Sequence, residues 1–330
     1  MEQFAMAAIT IFIGVGGCIG YFFLSNMALD SVYPPRGVNA GANITRANAI
    51  RPWLFLLPAL LLLAVYLVYP VFVSVYLSFR DATNQNWVGW GNYSWLIQDQ
   101  KFRESMVNNL LWLVVVPALS TLFGLLAAAL TDRIRWGNFA KAMIFMPMAI
   151  SMIGAAVIWK LVYEFRDAGQ AQIGVLNAIR VSLGAEPVTW LTMDGINSFL
   201  LMIVLVWVQT GFAMVILSAA LRGIPEETIE AAVLDGASPL QLFFKIKVPQ
   251  IYGTILVVWT TITITVLKVF DIVYAMTNGQ WGTQVLANLM YDWMFRANDT
   301  GRASTVAIVI MLLVTPIMVW NIRNARKEMR

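Results

Sequence analysis

The sequence predicts an all-α fold, a polytopic membrane helix bundle. Three observations carry that expectation. Hydrophobic residues make up 59% of the 330 positions and charged residues 12%, whereas a soluble domain is about half apolar and a quarter charged. Seven apolar windows lack any Asp, Glu, Lys or Arg, at 3–29, 52–79, 105–131, 142–159, 195–221, 248–267 and 303–322. Each approaches the ~20 residues that cross the hydrocarbon layer, and a charge at mid-bilayer costs roughly 2.5–3.5 kcal/mol. Finally, the cations separate by side: one alternating set of loops and the C-terminal tail holds thirteen of 22 Lys and Arg and seven of 18 acids. That set (Arg36, Arg46, Arg51; Arg133, Arg135, Lys141; Arg222, Lys245, Lys247; Arg323, Arg326, Lys327, Arg330) is expected to be cytoplasmic. The N-terminus then lies outside and the C-terminus inside. Trp53, Trp136 and Trp320 fall near the inner ends, and Trp87, Trp90, Trp95, Trp159, Trp190 and Trp293 at or beyond the outer ends.

The first window opens on Met1-Glu2-Gln3, without a basic residue, and is too long for the apolar region of a secretion signal. It is expected to be a retained transmembrane helix. Its Gly16 and Gly20 form a GxxxG, which the general frequency of glycine in membrane helices accounts for. The polar, turn-rich 30–51 segment, with Pro34, Pro35, Gly37, Asn39, Gly41 and Asn43, reads as a linker to six further helices. The expected division is residues 1–50, an extra helix with a cytoplasmic linker, and residues 51–330.

In the fourth window Pro147 breaks the helical ladder among Met143, Met146, Met148 and Met152. In the fifth, Gln209 lies deep in an apolar run, where an unpaired amide is expensive, with Phe212 one turn away. In the sixth, Thr261, Thr265 and Lys268 recur on one face, and Asp271 continues the stripe. A Thr in such a helix commonly bonds its own i−4 carbonyl. The charge-free stretch 272–291 is interrupted by Thr277-Asn278-Gly279-Gln280-Trp281-Gly282 and reads as a loop or re-entrant segment. The single Cys18 excludes an intrachain disulfide. The lack of His removes imidazole metal ligands and the commonest general base. Basic residues are not clustered with stacking aromatics, so nucleic acid is not an expected partner.

The loop at 222–250 carries a mechanism. Pro225, Glu226 and Glu227 suit a helix N-terminus. Gly236 supplies a stop, and Ser238-Pro239-Leu240-Gln241 is a capping box opening a second helix that Pro249 ends. Leu240, Phe243 and Phe244 give that helix an apolar face. From the residues alone, an amphipathic hairpin resting on the membrane and a docking element for a partner stand level.

The order Glu230-Ala231-Ala232, Asp235-Gly236-Ala237, Phe244, Ile246, Val248-Pro249 resembles the EAA loop of binding-protein-dependent ABC transporter permeases. The resemblance implies a six-helix ABC importer permease core plus the extra N-terminal helix, in a bacterial inner membrane. It implies that the loop is a coupling helix seated in a cleft of an ATPase subunit. Glu230 would make a polar contact there, Ala231 and Ala232 would pack, and Gly236 would make the turn; Asp235, Ala237, Phe244 and Pro249 complete the motif. Implied partners are a second permease with its own EAA loop, two ATPase subunits that use ATP and Mg, and an extracytoplasmic binding protein. This chain has no phosphate-binding GxxxxGK[ST] loop and is expected to bind no cofactor and to be no enzyme.

Trp87-Val88-Gly89-Trp90-Gly91-Asn92-Tyr93, Phe102, Asn108-Asn109, the run Phe270 to Gly279 and Gly301-Arg302-Ala303-Ser304 resemble the carbohydrate-importing members, those for maltose and other α-glucosides above all. The chain departs at Gln280-Trp281, where that group usually has Gly-Pro, and lacks a large periplasmic insertion. The cargo so implied is an oligosaccharide such as maltose, trehalose or sucrose, with Gln209, Phe212, Thr261, Thr265 and Lys268 along its path. The alternative function is a secondary transporter or channel working without an ATPase. Such proteins usually bury ionisable groups in mid-span, which these spans lack. An intramembrane enzyme would need a nucleophile or carboxylate constellation that is missing.

Overall fold

The computed structural model describes residues 2–37, 39–132 and 134–328; Arg133 and Arg330, counted above on the inner side, lie outside them. The described residues form helices joined by turns and loops, with one isolated antiparallel bridge, Arg80 to Trp87, and no strand. Among the described residues five helices are long and apolar enough to cross a membrane, and two sharply bent helix pairs bring the count to as many as seven. The chain divides into two compact units, Met1–Val73 and Ser74–Arg330.

The first unit holds α1 (Glu2–Val32) and most of α2 (Ala40–Ser78). The segment read as a turn-rich linker is helical from Ala40, because Asn39 flanks a good helix former and no proline follows before Pro52. Asp30 pairs with Arg51 at 2.9 Å, and the Tyr21 hydroxyl donates to the Leu54 carbonyl. The most apolar windows of both helices contain no buried residue within the chain, so their side chains are left for lipid. In α2 the ladder widens into a π-turn at Ala64–Val68, and in the second unit the same happens at Leu242–Lys247. Pro70 and Pro249 follow these stretches, and the wider turn relieves the clash of each ring with the carbonyl four residues back.

The second unit is organised around α8. In order it contains α3 (Gly91–Gln98), α4 (Gln100–Thr131), α5 (Gly137–Ala149), α6 (Met152–Val162), α7 (Val175–Ser182) and α8 (Ile196–Arg222). Then come α9 (Glu226–Leu234), α10 (Pro239–Gln250), α11 (Tyr252–Leu267), α12 (Asp271–Met276), α13 (Leu286–Tyr291) and α14 (Thr300–Glu328). α8 packs on α4 along its length, and Leu201, Leu205, Met214 and Leu217 are among the largest fully buried side chains. Glycines permit the close approach of α4 and of α5 to α8. A Cβ on Gly124 would meet Ala213 and the Met214 nitrogen at 2.9 Å, and one on Gly211 would meet the Ile144 carbonyl oxygen at 2.6 Å.

The fourth apolar window is not one straight helix. Around Pro147 α5 ends in a 3-10 turn, Met146–Ala149, and the axes of α5 and α6 differ by 105°. Ser151 caps the restart by accepting from the Gly154 N–H. The sixth window is likewise bent, with 69° between α10 and α11 at Ile251.

The interrupted 272–291 stretch folds as α12, a tight turn and α13. Positive φ at Asn278, Gly279, Trp281 and Gly282 reverses the chain. The exposed peptide groups of this turn find side-chain partners. Asn108 donates to the Gly282 and Gln284 carbonyls, both at 2.8 Å, and Asn109 accepts from the Leu286 N–H. Glu104 accepts from the Gln284 N–H, and Asn197 of α8 donates to the Trp281 carbonyl at 2.6 Å. At the other motif resembling sugar permeases, buried Asn92 donates to the Ser78 and Arg80 carbonyls, and Gly301 presses against the same Arg80 carbonyl.

Replacing Gly211 by Ala should force the α5–α8 contact apart and cost about 1–3 kcal/mol. Thermal unfolding of the detergent-solubilised protein, followed by aggregation or tryptophan fluorescence, measures this; an unchanged midpoint would show that the contact yields.

Candidate functional site

The 222–250 loop folds as the expected helix–turn–helix. Glu226 and Glu227 occupy the first turn of α9. Gly236 turns the chain at φ +82°, where a Cβ-bearing residue is strained. The capping box forms in full: the Ser238 hydroxyl accepts from the Gln241 N–H and the Gln241 side chain accepts from the Ser238 N–H. The Ala237 N–H returns to the Ala232 carbonyl at 3.0 Å, closing the α9 end. Six hydrogen-bonding groups of the turn are thereby satisfied locally, which makes the hairpin a stiff element.

Its surface is open. None of the α9 side chains is buried, and Glu230, Ala231, Asp235 and Gly236 are exposed, with Ala232 and Ala237 half-buried. Leu234 stands 88% exposed, a large apolar side chain with nothing over it. The expected apolar face of α10 also differs: Leu240 (71%) and Phe244 (62%) face outward, and Leu242 is the buried anchor. The π-turn at Leu242–Lys247 rotates the face that a regular helix would bury. α10 runs past Pro249 to Gln250, because a proline within its last turn blocks no bond that the following break needs.

Beside the hairpin the ends of three helices are tied to one carboxylate. Asp132, capping the α4 C-terminus, accepts from Lys141 of α5, from the Ser218 hydroxyl of α8 at 3.1 Å, and from Arg222 Nε and Nη2 at 3.1 and 2.9 Å. Lys141 Nζ also donates to Ser218 at 2.6 Å. Desolvation acts to raise the Asp132 pKa, but the hydrogen bonds from Lys141, Arg222 and Ser218 outweigh it and hold the carboxyl below its ordinary value. Asp132 and Arg222 edge an open, mostly apolar trough of about 500 Å³, walled by Leu126 and Leu130 of α4, Leu221 of α8 and Leu240, Phe243 and Phe244 of α10. The ion cluster was not legible in sequence, since Asp132, Lys141 and Arg222 are single charges in two separate loops. A lone acid beside the end of a long apolar run was the available signal.

The expected sugar-path residues do not form one surface. Thr265 and Lys268 share a cleft of about 160 Å³ with Met152, Leu205, Phe270 and Asp271. Thr261 is exposed, and both threonine hydroxyls bond back along their own helix, to Val257 and Thr261 carbonyls. Gln209 is 7% exposed, and no side-chain hydrogen bond to it is found among the described residues; Phe212 is half-buried against the core beside it. Among the described residues no group of three His, Cys, Asp or Glu side chains is placed to hold a metal ion.

Residues 120–327 match the family described as "Binding-protein-dependent transport system inner membrane component". The chain is 64% identical to the alpha-glucoside transport system permease protein AglF of Rhizobium meliloti, over 99% of both chains. It is 50% identical to the osmoprotective compounds uptake permease protein GgtC of Synechocystis, over 83% of this chain and 99% of that one. Among solved structures, a bacterial ABC transporter involved in the import of alginate has a chain of the same fold, with TM-score 0.72 at 20% identity, covering 86% of this chain and 98% of that one.

Substituting Asp132 by Asn leaves Lys141 and Arg222 without their anion and should cost about 1–3 kcal/mol. A carboxylate with a lowered pKa contributes stability above the ordinary range, near pH 4, and loses it as pH falls through the lower folded value. Melting midpoints of wild type and Asp132→Asn should therefore differ at neutral pH and converge below about pH 4. A difference independent of pH would contradict the assignment.

Proposed function

The chain belongs to the family of binding-protein-dependent transport system inner membrane components, and is a permease subunit of an ABC importer; on that premise we propose that it carries an α-glucoside such as maltose, trehalose or sucrose. The observation that carries this reading is the 64% identity, end to end, with a permease named for alpha-glucoside transport. The composition of the spans suits a neutral, hydroxyl-rich cargo. The spans contain amides and hydroxyls, Gln209 among them, and the charged Lys268 and Asp271 are kept to the outer cleft.

In the assembly we infer, residues 51–330 pair with a second permease bearing its own EAA loop, and two ATPase subunits bind beneath, consuming ATP and Mg. An extracytoplasmic binding protein delivers the sugar. The N-terminus faces the periplasm and the C-terminus the cytoplasm of a bacterial inner membrane, with residues 1–50 as an added anchor. The α9–α10 hairpin is the coupling element. Ala231 and Ala232 leave room for a neighbouring backbone, Leu234 offers apolar area, and Glu230 and Asp235 offer charge to a cationic partner. Ala237 closes the turn at Gly236 through its bond to Ala232, and Phe244 and Pro249 stand exposed on the return helix, open to the same partner.

Motion then passes by rigid connection. ATPase closure displaces α9. The closed turn at Gly236 carries α10 with it, and the bend at Ile251 delivers the displacement to α11, which bears Thr261 and Thr265. On the other side, Arg222 continues α8 into the Asp132 cluster, so α4, α5 and α8 move together. Proline at residue 236 requires φ near −65° where the chain has +82°.

Gly236→Pro and Glu230→Lys should each abolish or severely reduce ATP-driven uptake of radiolabelled α-glucoside while the chain still inserts and ATP hydrolysis persists in the co-purified ATPases. Full uptake by both variants would refute the coupling assignment. Failure of the wild type to import any α-glucoside would refute the substrate.

A further inference from the structure

We propose that this subunit carries a carbohydrate-stacking track at the mouth of the path, made of Phe270, Tyr274, Tyr291 and Phe295. The inference rests on the sugar reading above. Phe270 and Tyr274, one turn apart at the start of α12, lie with ring centroids 5.1 Å apart and planes 25° from parallel. Tyr291, at the end of α13, packs 5.2 Å from Phe270 and 5.1 Å from Tyr274. Phe295 extends the row, 4.9 Å beyond Tyr291. None of the four is buried, and Phe295 is 65% exposed. Rings in this mutual contact ordinarily serve a core, where they would be covered.

Two further observations point to a sugar. Phe270 is also a wall of the cleft that holds Thr265, Lys268 and Asp271, so the row begins where the expected path residues are. At about 160 Å³ that cleft is below the ~300 Å³ of a self-sufficient ligand pocket. A disaccharide seated there must extend onto a neighbouring surface, and the aromatic row is continuous with it. The row is also fringed by hydrogen-bonding charge. Arg296 lies 5.9 and 6.0 Å over the rings of Tyr274 and Tyr291, donates to Asn278 at 2.8 Å and pairs with Asp292 at 3.1 Å. Pyranose rings present apolar C–H faces and a rim of hydroxyls. Aromatic faces receive the first; carboxylate, amide and guanidinium groups bond the second. Acyl chains would be opposed by the same charges.

The test uses the assembled transporter in proteoliposomes, with radiolabelled maltose and binding protein at saturating concentration, so that weaker docking of the binding protein does not limit the rate. Phe295→Ala and Tyr291→Ala should lower the initial uptake rate by about three- to tenfold. Tyr291→Phe should stay near wild type, because it keeps the ring, and Phe295→Leu should be as slow as Phe295→Ala, because it keeps only the bulk. Phe295 is exposed, so its variants test the track even where Tyr291→Ala fails to assemble. Wild-type rates in both alanine variants, or full activity of Phe295→Leu, would overturn the track and leave the α-glucoside reading intact. Absence of maltose, trehalose and sucrose uptake by the wild type would overturn both.

Discussion

In a hydrocarbon solvent every peptide group must find its partner within the protein, and this constraint governs where the helices of this chain can break. The long spans satisfy it alone. The turn at 277–285 cannot, and Asn108, Asn109, Asn197 and Glu104 supply the missing partners from α4 and α8. That clasp fixes α12 and α13 to the central helix pair, and with them the cleft at Phe270 and Lys268. An amide that donates to two carbonyls is worth more here than in water, since the alternative is two unpaired acceptors.

The inner end solves a different problem. On the coupling role proposed above, the chain must be stiff at the hairpin and connected to the bundle, so that a force applied at α9 is not lost in bending. The capping box at Ser238, the left-handed turn at Gly236 and the return bond from Ala237 to Ala232 provide the stiffness. The Asp132 cluster provides connection, with one carboxylate oxygen shared by groups from α5 and α8 at the end of α4. Ion pairs at a surface contribute little each; several donors converging on one oxygen define geometry more than they add stability.

Much of this was legible in the residues. The apolar windows located the spans, Gly236 and Ser238-Pro239-Leu240-Gln241 marked the hairpin, and the Thr277 to Gly282 interruption marked the turn between α12 and α13. Local signals sufficed because each of those features is decided within a few residues. The 105° break at Pro147 was legible as a break but not as an angle, since the angle is set by packing on α8, where Gly211 admits the Ile144 carbonyl. The outward turn of Leu240 and Phe244 followed from a π-turn that a 3.6-residue period does not foresee. Thr261 and Thr265 shared a face as expected, yet their hydroxyls serve their own helix. The aromatic row joins residues more than twenty positions apart and required the turn between them.

The most direct measurement is a crosslink. In a Cys18→Ser background, a cysteine at Ala232 is treated with a short thiol crosslinker in inverted membrane vesicles that contain the ATPase subunit. A contact between a hairpin and a separate motor predicts a covalent adduct with that subunit, formed from the cytoplasmic face and altered in yield by nucleotide. Labelling of the same cysteine by an impermeant reagent applied from the periplasmic side, with no adduct from within, would contradict the account.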